Sequence, residues 1–357
     1  MEKAIKKGAL QKYFQSIDFE KKKKILEMKS LGRGAHGEGW LIRAQGPSGQ
    51  EEFVIKTVRG SGLGHDYPSD RAGMFLLALD TYNCLPDHVK ALEVLGVRPD
   101  GSIQPIGGGK EYYLLMRKAD GKNYFEDLDR LAQKERLDTR GRLKIDSLAS
   151  VLANIHSLKK ASKDLYFRKL RDIIGHGECL MGVFDTYPRG VMTPEEMASI
   201  EKKCIDWRAR LKSGTFYKRL CRIHGDFHPG NILFHESAGP ALTLLDRSRG
   251  PWGEAADDLT ALSINYIFYS VQRHGDVRGA CLEALKLFFK RYMELTRDDS
   301  VLGIVAPFFA FRGAVVANPV FYPLLGREER KLIFRFMHGV LDSPVFDPAK
   351  VNDYISS

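Results

Sequence analysis

The sequence predicts an α+β chain with two cores: antiparallel strands up to about residue 117, then a mostly helical remainder. Three observations predict it. Apolar runs of strand length, separated by glycine-bearing turns, fill residues 30–117. From residue 118 onward the apolar spacing is helical, apart from one segment around Ile232–Phe234. At 357 residues the chain can hold two separate cores, and its apolar and charged fractions are those of an ordinary soluble protein.

Residues 1–29 read as a helical extension, with Ala4, Ile5, Leu10, Tyr13 and Phe14 set among lysines. Its run Lys21-Lys22-Lys23-Lys24 reads as a solvated helix face, although such runs also touch nucleic acid or anionic lipid. Residues 30–117 then form a lobe of strands with one helix. Lys29-Ser30-Leu31 enters a strand and Trp40–Ala44 is the next; between them Gly32, Gly34 and Gly37 fit the G-x-G-x-x-G spacing. Glycines there let backbone amides approach phosphate oxygens. A Rossmann crossover shares the spacing, but here a strand rather than a helix follows. Glu52–Val58 is a further strand holding Lys56, which is either a solvated strand lysine or a phosphate-contacting cation. The helix from Pro68 through Leu79 offers no glutamate to steady that lysine. Asp70 stands near its start, where the helix dipole favours an acid in any case. Val89–Val97 and Tyr112–Met116 complete the strands, the last leading into the connector Arg117-Lys118-Ala119-Asp120-Gly121.

The stretch Ile223–Phe234 is the most informative, because it sets Asp226 and Asn231 five residues apart between apolar runs. Phosphoryl transfer to an alcohol needs a carboxylate that orients the hydroxyl and accepts its proton, and a carbonyl-bearing side chain that holds a divalent metal. Asp226 fits the first role and Asn231 the second. Ala241–Leu245 reads as a short strand pairing with Ile232–Phe234 across the Ser237-Ala238-Gly239-Pro240 turn, and Asp246 ends it. Such a hairpin brings Asn231 and Asp246 to one end, within reach of one metal. The plainer reading is a surface turn and an unrelated strand-end acid.

Over residues 30–265 these segments resemble the aminoglycoside phosphotransferase and choline kinase superfamily, small-molecule kinases with a two-lobed, protein-kinase-like fold. The stretch His224–Asn231, Asp246, and Gly253–Leu259, similar to the family's Gly-Asp-Pro-x-x-Asp-Leu, carry the resemblance. Leu148–Leu158 resembles the family's central helix. The resemblance implies a nucleotide-binding lobe over 30–117 and a helical lobe over 118–357 that holds the catalytic loop and the acceptor site. It implies ATP and Mg2+, with Asp226 catalytic and Asn231 and Asp246 on the metal. Lys56 would then contact the inner phosphates, Gly32, Gly34 and Gly37 would cover them, and backbone groups near Met116 and Lys118 would hold the purine. The acceptor would be a hydroxyl of a small molecule, whether sugar, amino alcohol or antibiotic-like. In such folds the residue matching Asp258 braces the catalytic loop. His156 reads as a packed polar residue and His224 as a loop brace. His228 either packs under the loop or lines the acceptor side. The acceptor-binding candidates between Thr260 and His338 are Tyr266, Tyr269, Arg273 and Arg312.

Two features depart from that family. The helix glutamate is missing, which raises a nucleotide-binding pseudokinase as the alternative. Asp246 is followed by Arg247-Ser248-Arg249 rather than by an aromatic or acidic residue. Two guanidinium groups there favour a phosphate-bearing or otherwise anionic ligand, unless they point to solvent or pair with Asp257 and Glu254. In carrying basic residues near this position the chain also resembles sugar kinases that act on lipopolysaccharide cores, which makes an envelope-sugar kinase an alternative. The net charge of +10 suits anionic partners and argues against a polycationic acceptor. Five cysteines without C-x-x-C pairing read as reduced thiols of a cytoplasmic protein. The basic start is not followed by an apolar core, so no secretory signal is expected. Val301–Phe311, interrupted by Gly303 and Pro307, falls short of the roughly 20 residues that span a bilayer and reads as a buried helix. Neither nucleic acid nor an integral membrane segment is expected.

Overall fold

A computed structural model of the chain describes residues 6–16, 23–34, 37–59, 68–106, 111–235, 240–247 and 249–356. It separates into two units, Met1–Asp120 and Gly121–Ser357. The first contains α1 (Lys7–Ser16), β1 (Lys24–Arg33), β2 (Glu38–Gly46), β3 (Gly49–Lys56), α2 (Pro68–Tyr82), β4 (Ala91–Val97), β5 (Ile103–Pro105) and β6 (Glu111–Arg117). Its strands form one antiparallel sheet in the order β1-β2-β3-β6-β4-β5. Ile42 and Ala44 of β2 and Phe53 and Ile55 of β3 alternate onto one face and are fully buried, as the period of two in a strand requires.

The expected helical extension over residues 1–29 is not a separate element. Leu10, Tyr13 and Phe14 share one face of α1 at helical spacing and pack in one core with Ile25, Ile42 and Phe53. From Lys24 the chain is already strand. Of the tetralysine run, Lys21 and Lys22 lie outside the described residues, and Lys23 is not on a solvated face. It is 1% exposed, donates from Nζ to Glu51 at 2.7 Å, and lies 4.8 Å above the Phe53 ring. A buried ammonium needs such a partner, and charge patterning alone cannot show which lysine of a run turns inward.

The second unit is mostly helical. β7 (Lys122–Asn123), α3 (Phe125–Leu131), α4 (Thr139–Ser157), α5 (Lys163–Gly175), α6 (Leu180–Phe184) and α7 (Pro194–Lys212) lead to β8 (Cys221–Arg222), β9 (Ile232–Phe234), β10 (Leu242–Leu244) and β11 (Trp252–Gly253). α8 (Ala255–His274), α9 (Gly279–Thr296), α10 (Ala306–Val316), α11 (Arg327–Asp342) and α12 (Val351–Ser356) follow. Helix starts follow local chemistry. The Asp138 side chain accepts from the Gly141 amide at 2.7 Å before α4, and Thr193 with Glu196 forms a capping box before α7. α8 is buried from Ala255 through Phe268, and α10 is apolar nearly all round, so both are interior helices.

The apolar run Val301–Phe311 is not one helix. A 3-10 turn, Asp299–Gly303, precedes α10, whose first turn takes Pro307 because its missing amide hydrogen has no partner to lose there. Among the described residues no helix is long and apolar enough to cross a membrane. All five cysteines are free thiols, and only Cys84 is exposed. Burial pushes the Cys179 thiol up to about 11 and that of Cys281 to about 12, which leaves them unreactive.

Candidate active site

β8 pairs with β11, and the Ile223 amide donates to the Pro251 carbonyl at 3.0 Å, so the loop that begins at Ile223 starts from a fixed edge. Asp258, in the first turn of α8, holds it further. One carboxylate oxygen accepts from the His224 amide and the other from the Gly225 amide, each at 2.7 Å. His156 Nε2 lies 3.1 Å from the same carboxylate, and its Nδ1 is 2.8 Å from the Tyr292 hydroxyl. Burial alone would raise the Asp258 carboxyl; the His156 hydrogen bond and nearby charge outweigh it and hold the group below its usual range. His156 is therefore the packed polar residue expected, and Asp258 has the bracing geometry the resemblance implied.

Gly225 has φ +90°, a left-handed conformation open to glycine, and it turns the chain so that Asp226 follows the braced amides. His224 is buried, and its Nδ1 faces the Asp226 amide at 3.3 Å. Burial depresses the His224 pKa, which favours the neutral ring that can accept that bond. His228 caps the Pro229–Asn231 turn by accepting from Gly230 at 3.1 Å, while its Nε2 is 3.8 Å from Asp226 Oδ2. It therefore packs and also borders the acid.

Asn231 Nδ2 donates to the Asp226 carbonyl at 2.9 Å, and its Oδ1 accepts no bond from the described residues. β9 and β10 pair in the register Ile232↔Leu244, and the Leu245 amide donates to the Asn231 carbonyl at 2.9 Å. Asn231 and Asp246 therefore stand at the same end of the hairpin, as its sequence suggests. Asp246 has φ +55°, a conformation that costs a residue other than glycine about 1–3 kcal/mol and that clusters at functional sites. A carbonyl and a carboxylate are the donors a hard divalent cation takes. Among the described residues no group of three or more His, Cys, Asp or Glu could hold a metal alone, so a cation here would need ligands from a bound molecule as well.

The acid is surrounded by positive charge. Arg312, from α10, donates from Nη1 to Asp226 Oδ1 at 2.7 Å and from Nη2 to Asp257 Oδ1 at 2.8 Å. Burial would raise the Asp226 carboxyl, but Arg249, His228 and Arg312 outweigh it and hold the group well below the carboxylate range. The two arginines after Asp246 behave differently from the alternatives the sequence raises. Arg247 is 1% exposed and donates to the carbonyls of Ile223 at 3.0 Å and Pro251 at 3.2 Å, where it cross-links the base of the loop. Arg249 is mostly buried, stands 3.7 Å from both Glu178 and Asp226, and also feels the charge of Asp257. Of the other acceptor candidates, Tyr266 is core, with its hydroxyl 3.1 Å from that of Tyr124. Arg273 is exposed at the end of α8, and Tyr269 is half-buried.

The remaining candidates belong to the first unit. Lys56 is the last residue of β3, opposite Gly39 and Leu114. Gly32 has φ +116°, and the Gly34 amide donates to the Gly37 carbonyl at 2.9 Å; Ala35 and His36 lie outside the described residues. A Cβ on Gly37 would stand 1.8 Å from the Thr57 carbonyl oxygen, so this glycine is required by backbone packing itself. Met116 lies opposite Val54 and Ala91 in β6, and Lys118 Nζ pairs with Asp120 at 2.7 Å and Glu52 at 3.1 Å. Glutamate is absent from α2, as in the sequence reading.

Lys169 and Glu178 carry no motif of their own, yet Lys169 pairs with Asp257 at 2.5 Å beside Arg312. The one sequence sign of this network is a charge, Arg312, inside the apolar run of α10: a buried arginine is paired wherever it occurs.

Similar solved structures include an aminoglycoside phosphotransferase of Streptomyces rimosus ATCC10970, at 13% identity and TM-score 0.46 over 79% of this chain and 92% of that one. The Plasmodium vivax ethanolamine kinase is 12% identical with TM-score 0.46, over 92% and 80%. The choline kinase of Cryptosporidium parvum Iowa II is 14% identical with TM-score 0.45, over 93% and 87%. No curated protein matches the sequence. The pattern of one phosphotransferase family does match, over residues 31–275 of the 357, and the chain belongs to that APH phosphotransferase enzyme family.

Proposed function

We propose that the protein transfers the γ-phosphoryl group of ATP to a hydroxyl of a small molecule. The observation that carries this reading is the placement of Asp226: a buried loop braced by Asp258 presents its carboxylate, with Asn231 bonded to its carbonyl and Asp246 at the same hairpin end. The acceptor oxygen attacks phosphorus, the bond to the ADP oxygen breaks, and the acceptor's proton then passes to Asp226. Arg312 occupies Oδ1 of Asp226, which leaves Oδ2 to orient the acceptor. So strongly depressed a carboxyl is a weak base, so its chief contribution is orientation, with the proton leaving late in the transfer.

Asn231 Oδ1 and the Asp246 carboxylate suit magnesium, which when bound neutralises charge on the nucleotide phosphates. Lys56 is assigned to the inner phosphates, Gly32, Gly34 and Gly37 to covering them, and the backbone near Met116 and Lys118 to the purine. Aminoglycoside, ethanolamine and choline kinases resemble this chain, and sugars, amino alcohols and antibiotic-like compounds are the acceptor classes to test. The decisive measurement is ATP consumption across a panel of hydroxyl compounds, with product mass. Asp226→Asn should lower turnover about 10²–10⁴-fold and leave Mg-ATP binding intact. Undiminished turnover in that variant would refute the assignment.

A further inference from the structure

Asp226, Asp257 and Glu178 are paired with the protein's own cations. Arg312 bonds Asp226 at 2.7 Å, Asp257 at 2.8 Å and the Gly225 carbonyl at 3.3 Å. Asp257 also pairs with Lys169 at 2.5 Å. Arg249 stands 3.7 Å from both Asp226 and Glu178. Asp226, Asp257 and Glu178 are thus matched one for one by Arg312, Lys169 and Arg249. Positive charge is in fact under-used here: Nε of Arg312, and Nε and Nη1 of Arg249, are buried N–H groups without a hydrogen-bond partner among the described residues. An ammonium entering this site would lose its water, find carboxylates that already carry partners, and stand against two guanidinium groups. Hydroxyl and carbonyl oxygens, by contrast, are the acceptors those N–H groups lack.

A second observation concerns shape. The Tyr322 phenol lies within electrostatic reach of Asp226 and Arg312, and its ring packs on Phe268 at 4.9 Å. Phe268 meets Tyr269 at 5.4 Å, Tyr269 meets Phe125 at 6.4 Å, and Phe125 lies 6.1 Å from His228. Tyr322, Tyr269, Phe125 and His228 are each only partly buried, so a run of ring surface with phenolic edges extends beside the acid. Ring faces with polar edges suit the apolar face and hydroxyl rim of a saturated, oxygen-rich ring.

We propose that the acceptor carries no positive charge, being a neutral or anionic polyhydroxyl compound of the sugar type, and that Arg312 is the residue that imposes this selection. The inference rests on the phosphotransfer reading above and narrows it.

The test uses acceptors built on one skeleton at about pH 7: glucose, N-acetylglucosamine and glucuronate against glucosamine, with choline and kanamycin as unrelated cations. The wild type is expected to favour the best neutral or anionic sugar over glucosamine at least about tenfold in kcat/KM. Arg312→Gln should compress that ratio at least about threefold, and Arg312→Lys should retain it. The ratio is read within one preparation and does not depend on how much of a variant is folded. A preference for glucuronate over glucose identifies the anionic branch, and the reverse the neutral one. Preference for glucosamine, choline or kanamycin by the wild type overturns the inference and leaves phosphotransfer standing. An unchanged ratio in Arg312→Gln overturns the part given to Arg312. Binding of Mg-ATP with no phosphorylation of any probe overturns both.

Discussion

His156 on α4 and Asp258 on α8 meet at 3.1 Å in a wholly buried contact, and the same carboxylate receives the two amides that open the loop carrying Asp226. Removing Asp258 strands buried donors on both sides. Asp258→Ala should cost about 3–5 kcal/mol in urea unfolding, the range for breaking a buried charged pair. His156→Phe, which removes one partner and keeps most of the volume, should cost less. Equal losses from the two would show that the carboxylate does not centre the brace.

A second, partly buried clamp sets an acid limit. Arg219 Nη2 lies 2.6 Å from Asp298 and 3.0 Å from Glu254. Burial would raise the Asp298 carboxyl, but the hydrogen bonds and charge of Arg219 outweigh it and hold the group below 3.8. A carboxyl lowered on folding stabilises the fold above its unfolded value, and that contribution drains as pH falls from 3.8 through the lower folded value. The unfolding midpoints of wild type and Asp298→Asn should therefore differ at pH 7 and converge as pH falls below 3.8. A constant offset across that window would contradict the linkage.

Gly37→Ala tests whether the glycine turn is built by packing. The added carbon would stand 1.8 Å from the Thr57 oxygen, so the backbone must move, at about 1–3 kcal/mol. Gly34→Ala, where the nearest atom is 3.8 Å away, should cost less. Thermal unfolding of the pair separates the two positions.

Asp246→Asn keeps the hairpin and removes the charge offered to a cation. Turnover should then need at least about tenfold more magnesium for half-maximal rate. An unchanged magnesium dependence would remove Asp246 from the metal site.

The loop that carries Asp226 and the hairpin after it were legible in the sequence because their residues are close along the chain. The spacing of Asp226 and Asn231, and of the strands ending near Asp246, already implies their geometry. The arginines were not legible. Arg247 and Arg249 stand two positions apart, yet one bonds carbonyls and the other faces carboxylates, because the backbone between β10 and β11 aims them differently. Arg312 reaches Asp226 across 86 residues, and no local pattern encodes such a pairing. The start of the chain misled for a related reason: α1 has the apolar stripe of a helix that packs, but composition does not name the surface it packs on.

That surface bears on how the protein can be cut. The family pattern begins at residue 31, whereas the edge strand starts at Lys24 and α1 supplies Leu10, Tyr13 and Phe14 to the same core. A chain trimmed to the family boundary would bare the oily face of its own sheet and leave Glu51 without the ammonium of Lys23. Such a fragment would be prone to aggregate, so α1 and Lys23 belong to the folding unit and are not a detachable tag.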